Sequence, residues 1–196
     1  MIILKEQISQ SVSIVVWQIE ETEEFFFNSL ILSSEDQENI SKINLQQLRL
    51  QKLACRAALA DLLGSRQIEI TYSETGQPQL KGHSISFSHT KNCVAVALAN
   101  APVGIDIEEL SPRISKLYPR FMSEEEMSDC DLNNLQDLYY YWCAKEAMYK
   151  WFSKKNLDFI ADLRVCKKED KGEVCKMYNL QLKSFNIEHH IISVCY

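Results

Sequence analysis

The β-branched and aromatic run SVSIVVWQI over residues 11–19 predicts a strand. An acidic stretch follows (Glu20, Glu21, Glu23, Glu24), and the period then changes. From Ser34, read as an N-cap with acids in the first turn, apolar residues recur at helical spacing as far as Leu63, and Gly64 is a natural C-cap. Residues 67–72, 84–87 and 93–99 return to strand character, with a turn at Gly76-Gln77-Pro78. A connector, Ala101-Pro102-Val103-Gly104, leads into GIDIEE, an alternating strand. A second helical region covers 112–152, broken near Pro119 and near Asn133-Asn134. Strands at 163–167, 173–182 and 186–195 close the chain, with Lys171-Gly172 as a hairpin turn. Each half supplies a long helix and three or four strands. The order of elements therefore predicts an α+β protein made of two similar units, residues 1–102 and 103–196, without detectable identity between them.

Composition narrows the class. With 196 residues, 46% hydrophobic and 24% charged, the chain is a globular protein large enough to bury roughly 70% of its unfolded surface. Its five glycines stand at no spacing that builds a glycine-rich phosphate loop. Any phosphate must then be held by side chains and a metal. Lys plus Arg 21 against Asp plus Glu 27 leaves a net charge of −6, which disfavours a non-specific nucleic-acid binder. Seven scattered cysteines without a C-x-x-C pair read as reduced thiols that behave as small hydrophobes. The opening MIILKEQISQ meets Lys and Glu too early for a signal peptide, and no apolar run approaches a membrane span. The expectation is a soluble, cytoplasmic protein with neither nucleic acid nor membrane as partner.

Four constellations could carry chemistry. On the GIDIEE strand, Asp106 and Glu108 share one face with their Cα atoms about 6.5 Å apart, close enough for one cation between them. A solvated acidic face is the plainer reading of that pair. Trp142, Glu146 and Lys150 form a single helical stripe with Lys145 beside it, suited either to a surface ion pair or to a cleft wall. Ser88-His89 at a strand end could bind an anion, although no nucleophile elbow surrounds any serine. Arg49, Lys52 and Arg56 on the first helix, and Arg113, Lys116 and Arg120 in the second half, repeat at i, i+3 and i+7 and could each face a polyanion or simply solvent.

The order of these pieces resembles a known family. Val103-Gly104-Ile105-Asp106 followed by Trp142-x-x-Lys145-Glu146-Ala147-x-x-Lys150 is similar to the signature of the 4′-phosphopantetheinyl transferases, of their larger type. Phe87-Ser88-His89-Thr90, the Gly76-x-Pro78 turn and the arginine-bearing helix before them agree, so the resemblance runs from about residue 49 to 152. It implies two α+β halves related by a pseudo-twofold, with the active site at their interface. It also implies coenzyme A as co-substrate and Mg²⁺, or Mn²⁺ in its place. The implied reaction moves the phosphopantetheine arm to a serine of an apo acyl- or peptidyl-carrier protein and releases 3′,5′-ADP. On this reading Asp106, Glu108 and Glu146 hold the metal. Glu146, or a water on the metal, takes the serine proton, and Lys150 meets the leaving phosphate. Lys145, Ser88, His89, Arg56 and Arg49, with Asp106 and Lys150, bind the coenzyme. The crowded carboxylates should resist full ionisation, making metal binding pH-dependent.

Two features depart from the family. Gln77 stands where many relatives carry Lys, with Lys81 as a nearby substitute, and the interval from Asp106 to Trp142 is slightly short. A carrier protein of this chemistry is typically acidic, so docking on an acidic enzyme calls for a local basic patch, expected at Arg113, Lys116 and Arg120. A monomer is expected, since two halves of one chain complete the site. The alternatives are a catalytically idle scaffold that binds carrier protein or coenzyme A, and an unrelated Mg²⁺ phosphoesterase or nuclease built on the D-x-E pair. The first sits poorly with the joint presence of Asp106, Glu108, Glu146 and Lys150, the second with the missing further acids.

Overall fold

In each half of the chain a helix of 18 residues lies on an antiparallel sheet. The computed structural model describes residues 1–74, 76–154, 156–168, 172–175 and 180–196, without the side chains of 167, 168 and 172–175; the expected Lys171-Gly172 turn lies partly outside these residues. The chain divides into two compact units, Met1–Ala101 and Pro102–Tyr196.

The first unit begins with a strand that the sequence reading passed over, β1 (Ile2–Ser9), hairpinned onto β2 (Val12–Gln18). The acidic stretch opens α1 (Glu23–Ser29): Thr22 caps it, and Glu23 and Glu24 sit at its positive end. The single helix expected over 34–63 is two helices, α2 (Ser34–Ser41) and α3 (Gln46–Leu63). Ser33 rather than Ser34 caps the first. Leu45 is extended, and the carbonyls exposed by the break at Ile43 and Asn44 accept from Arg49 Nη1 at 2.7 and 3.2 Å. A side chain thus satisfies what helix continuation would have satisfied. Gly64 ends α3 in the left-handed conformation at φ 63°. The short ribbon β3 (Ile70–Tyr72) and β4 (Pro78–Leu80) precedes β5 (Ser84–His89) and β6 (Cys93–Ala99). The main sheet has the order β1-β2-β6-β5. Its core is Val15, Phe26, Leu53, Leu59, Val94 and Val96.

The second unit runs from β7 (Gly104–Glu109) through two 3₁₀ turns, Pro112–Lys116 and Tyr118–Arg120, to α4 (Glu124–Ser128) and α5 (Leu135–Phe152). Strands β8 (Val165–Lys168), β9 (Gly172–Cys175), β10 (Leu180–Ile187) and β11 (His190–Cys195) follow, in the sheet order β7-β11-β10-β9-β8. The expected strand over 186–195 is in fact the end of one strand, a tight turn in which Glu188 adopts φ 53°, and a second strand. Met122, Leu138, Tyr141, Ala144, Met148 and Leu182 lie in this unit's core.

The two sheets share one connection. In each, the strand before the long helix pairs antiparallel with the unit's last strand, which pairs with the strand before it: β2-β6-β5 and β7-β11-β10. Among the described residues no helix is long and apolar enough to cross a membrane.

Candidate active site

Gly104 decides how closely β7 and α5 approach. A Cβ there would stand 1.9 Å from the Ala147 carbonyl oxygen and 2.8 Å from the Trp151 nitrogen. Only hydrogen fits, so the strand lies directly against the last turns of the helix. Asp106 and Glu108 follow at period two, on the same face of β7 as Gly104 and therefore toward α5. The helix meets them with the stripe Trp142, Glu146 and Lys150. Trp142 Nε1 donates to Glu108 Oε1 at 3.0 Å. Lys150 Nζ donates to Asp106 Oδ1 and to the Ile105 carbonyl, each at 2.8 Å. Trp142 is itself clamped: Phe159 stacks on it at 5.6 Å between centroids and Phe121 meets it edge-on at 5.0 Å.

Three carboxylates thus face one ammonium in a largely desolvated place. Burial, with the neighbouring charges of Asp106 and Glu108, pushes Glu146 up to about 7, although Lys150 pulls the other way. Glu108 is raised as well, mainly by burial and by Asp106, against the Trp142 hydrogen bond. The neighbouring Cys143 is fully buried and its thiol is pushed well up, first by burial and then by the same two acids. At neutral pH a proton is therefore shared with the cluster. Among the described residues no three His, Cys, Asp or Glu side chains already stand around a common metal position. The donor chemistry nevertheless fits a hard divalent cation. The donors are carboxylate oxygens, their mutual repulsion is what such an ion relieves, and Lys150 on Asp106 and Trp142 on Glu108 are cationic or N–H donors that an ion can replace.

The other expected site residues lie on α5, α3, β5 and the two 3₁₀ turns. Lys145, expected on the coenzyme's phosphates, is 0% exposed; its Nζ meets Glu126 Oε2 at 2.8 Å and the Phe159 carbonyl at 2.7 Å. Five residues from Lys150, it points about 140° away around the helix. Arg56 is also buried, its Nε on Asp36 Oδ2 at 2.6 Å, its Nη2 on Asp36 Oδ1, and its Nη1 on the Lys52 carbonyl. Arg49 grips both oxygens of Glu23. Of the three cations of this stripe, two tie α3 to α1 and α2, and Lys52 lies over the Tyr72 ring. Ser88 and His89 end β5 on opposite faces of the sheet. His89 is exposed on the side where Ile85 and Phe87 pack, and Ser88 is buried on the other. Arg113, Lys116 and Arg120 are all exposed, but not on one α-helix. Pro119 and the 3₁₀ geometry split them over two turns, so the i, i+7 relation is lost while Arg113 and Lys116 stay eclipsed.

Two participants were missed. Glu126 is 3% exposed and fully bonded: Oε2 accepts from the Ser123 N–H and Lys145, and Oε1 accepts from the Val165 N–H. It joins α4, α5 and β8, and its Ser123-x-x-Glu126 capping box was readable in the sequence. Phe159, which links Lys145 to the Trp142 ring, carries no local signal. A cavity of about 560 Å³ is lined by Ser123, Glu125, Glu126, Ser128, Asp129, Arg164, Val165 and Cys166. None of the three clustered acids lines it, so it is not the site described here.

Residues 102–195 match the family model of the 4′-phosphopantetheinyl transferase superfamily. The chain is similar to 4′-phosphopantetheinyl transferase psf-1 of Bacillus pumilus, 33% identical over 99 residues, 47% of this chain and 42% of that protein. It is similar to 4′-phosphopantetheinyl transferase Sfp of Bacillus subtilis (strain 168), 32% identical over 95 residues, 45% and 42% of the two chains. A further 4′-phosphopantetheinyl transferase of Bacillus subtilis is 28% identical over 107 residues, 53% and 47%. The matches span less than half the length of these relatives. Residues 102–195, which carry β7, α5 and the acid cluster between them, are the part of the chain that matches the 4′-phosphopantetheinyl transferase superfamily.

Proposed function

We propose that this protein transfers the 4′-phosphopantetheine arm of coenzyme A to a serine of an apo acyl- or peptidyl-carrier protein, releasing 3′,5′-ADP. The observation that carries this reading is the pairing of β7 with α5 across Gly104, which brings Asp106, Glu108, Glu146 and Lys150 together in one desolvated cluster. Asp106, Glu108 and Glu146 would hold Mg²⁺, or Mn²⁺ in its place. When bound, the ion supplies charge neutralisation at the pyrophosphate as Lewis acid and template.

The protein's own groups do the rest. Glu146, whose carboxyl is raised to about 7 in the cluster without the ion, is the proposed acceptor of the serine proton. Lys150 carries an ammonium next to the acids and stabilises the departing phosphate oxygen. Trp142 keeps Glu108 in one orientation through its indole N–H. Ser88 and His89 are proposed contacts of the coenzyme. Lys145, Arg49 and Arg56 are assigned to the fold, because each is engaged with an acid of its own unit. Arg113, Lys116 and Arg120, exposed just after β7, are the proposed docking patch for an acidic carrier. We further propose that the two units are versions of one α+β plan, which their shared strand connections support.

The test is to incubate the purified protein with coenzyme A, Mg²⁺ and a panel of apo-carrier proteins and to weigh each carrier intact. The expected result is a gain of one phosphopantetheine that chelation with EDTA and the Glu146→Gln substitution both abolish. No gain with any carrier, despite measurable coenzyme A binding, would refute transfer and leave a binding scaffold.

A further inference from the structure

Lys150 occupies the place where a cation is expected. Its Nζ lies 2.8 Å from Asp106 Oδ1 and 2.8 Å from the Ile105 carbonyl oxygen, two oxygens of consecutive β7 residues. The Asp106 side chain is 6% exposed and that of Lys150 28%, so the pair is shielded on the Asp106 side and more open toward solvent on the lysine side. The lysine comes from the last turn of α5 on a four-carbon stem, with rotamers that can carry the ammonium off Asp106 without moving the helix. Among the described residues the acids are not yet gathered around a metal position. The cluster is therefore closed on its own lysine.

We propose that Lys150 is the resident counter-ion of this cluster: it competes with the divalent cation for Asp106, and the cation's arrival frees the ammonium for the phosphates of the coenzyme. The inference rests on the reading of Asp106, Glu108 and Glu146 as cation ligands. It adds that the protein binds cation weakly until something takes its lysine. An anionic ligand that draws Lys150 away strengthens cation binding, and by reciprocity the cation strengthens the anion's binding by the same factor. The device also keeps an unliganded, partly buried set of acids from repelling itself apart.

The competition is read by Mn²⁺ binding alone, followed from the free-ion electron paramagnetic resonance signal at pH 8. Wild type is compared with Lys150→Met, Lys150→Arg and Lys154→Met, each first checked for an unchanged thermal transition. Removing a charge-assisted hydrogen bond to the cation's ligand should tighten Mn²⁺ binding about tenfold in Lys150→Met. Lys150→Arg keeps a cation able to hold Asp106 and should stay near wild type. Lys154→Met removes the same charge from an exposed position four residues along and should also stay near wild type. Equal or weaker binding in Lys150→Met, or an equal gain in Lys154→Met, overturns the competition while the cation site stands. No Mn²⁺ binding by any of the four proteins overturns both the competition and the assignment of the acids.

Discussion

The helices α3 and α5 have the same length and lie on sheets with the same strand connections, yet their polar side chains serve opposite ends. In the first unit the buried Arg56 has Asp36, and the half-buried Arg49 has Glu23. The result is electrically quiet, and it fixes how α1 and α2 lean on α3. In the second unit one such pair, Lys145 with Glu126, does the same for α4, α5 and β8. Farther along α5, Asp106, Glu108 and Glu146 crowd around Lys150, and Glu146 rises to about 7. The strand in the matching place of the first unit, VSIVVWQ, carries no acid at all. A buried charge with a dedicated partner secures a fold, whereas like charges buried together stay costly until a ligand of opposite sign arrives.

The strongest way to break this contrast is at Gly104. Gly104→Ala forces a methyl into the Ala147 carbonyl, so β7 and α5 must part. Overpacking costs roughly 1–3 kcal/mol and more where backbone must move, and this site belongs at the upper end. Loss of carrier modification and of Mn²⁺ binding is expected, together with a lowered melting temperature; a variant that retains both would show that the close approach is dispensable. Next come the dedicated pairs. Lys145→Met and Arg56→Met each strand a buried carboxylate and should cost about 3–5 kcal/mol in urea unfolding, with part of the loss recovered when Glu126 or Asp36 is made apolar as well. A loss no larger than that of an exposed pair would deny them their role in the fold.

Glu146→Gln sharpens the comparison from the other side. The folded protein holds a proton on this carboxyl more tightly than an unfolded chain does, at about 7 against 4.5. Its protonation therefore favours folding below pH 4.5, and that advantage is lost as pH rises through 7. The glutamine variant should accordingly be more stable than wild type at pH 8, by about 2 kcal/mol, and the gain should shrink toward pH 5. A pH-independent difference would contradict the crowding. The smallest effect is at the surface. Reversing Arg113, Lys116 and Arg120 should raise the KM for a carrier several-fold and leave coenzyme A binding unchanged. An unaltered KM removes the docking patch.

Much of the candidate site was legible because it depends on two local periods. Alternation along GIDIEE put Asp106 and Glu108 on one face, and the spacing of Trp142, Glu146 and Lys150 made one stripe. Gly104, read as part of a motif, proves to be the point where the two periods touch. Remote partners were not legible. Asp36 stands 20 residues from Arg56 and Glu23 stands 26 from Arg49, so a stripe of cations could not be told from a set of ion pairs. Lys145 and Lys150 look alike on paper, but the return of the chain at Phe159 buries one and leaves the other beside the acids. The break between α2 and α3 was hidden for a similar reason: Arg49 compensates it from within the next helix.

The central claim is that a proton and a divalent cation contend for the same three carboxylates at the seat of the reaction. The rate of carrier modification by wild type, followed against pH at limiting and at saturating Mg²⁺, tests it most directly. The account predicts a rate that rises with pH through a midpoint near 7 at limiting Mg²⁺, and a midpoint that moves to lower pH as Mg²⁺ saturates. A midpoint that ignores Mg²⁺ would contradict it.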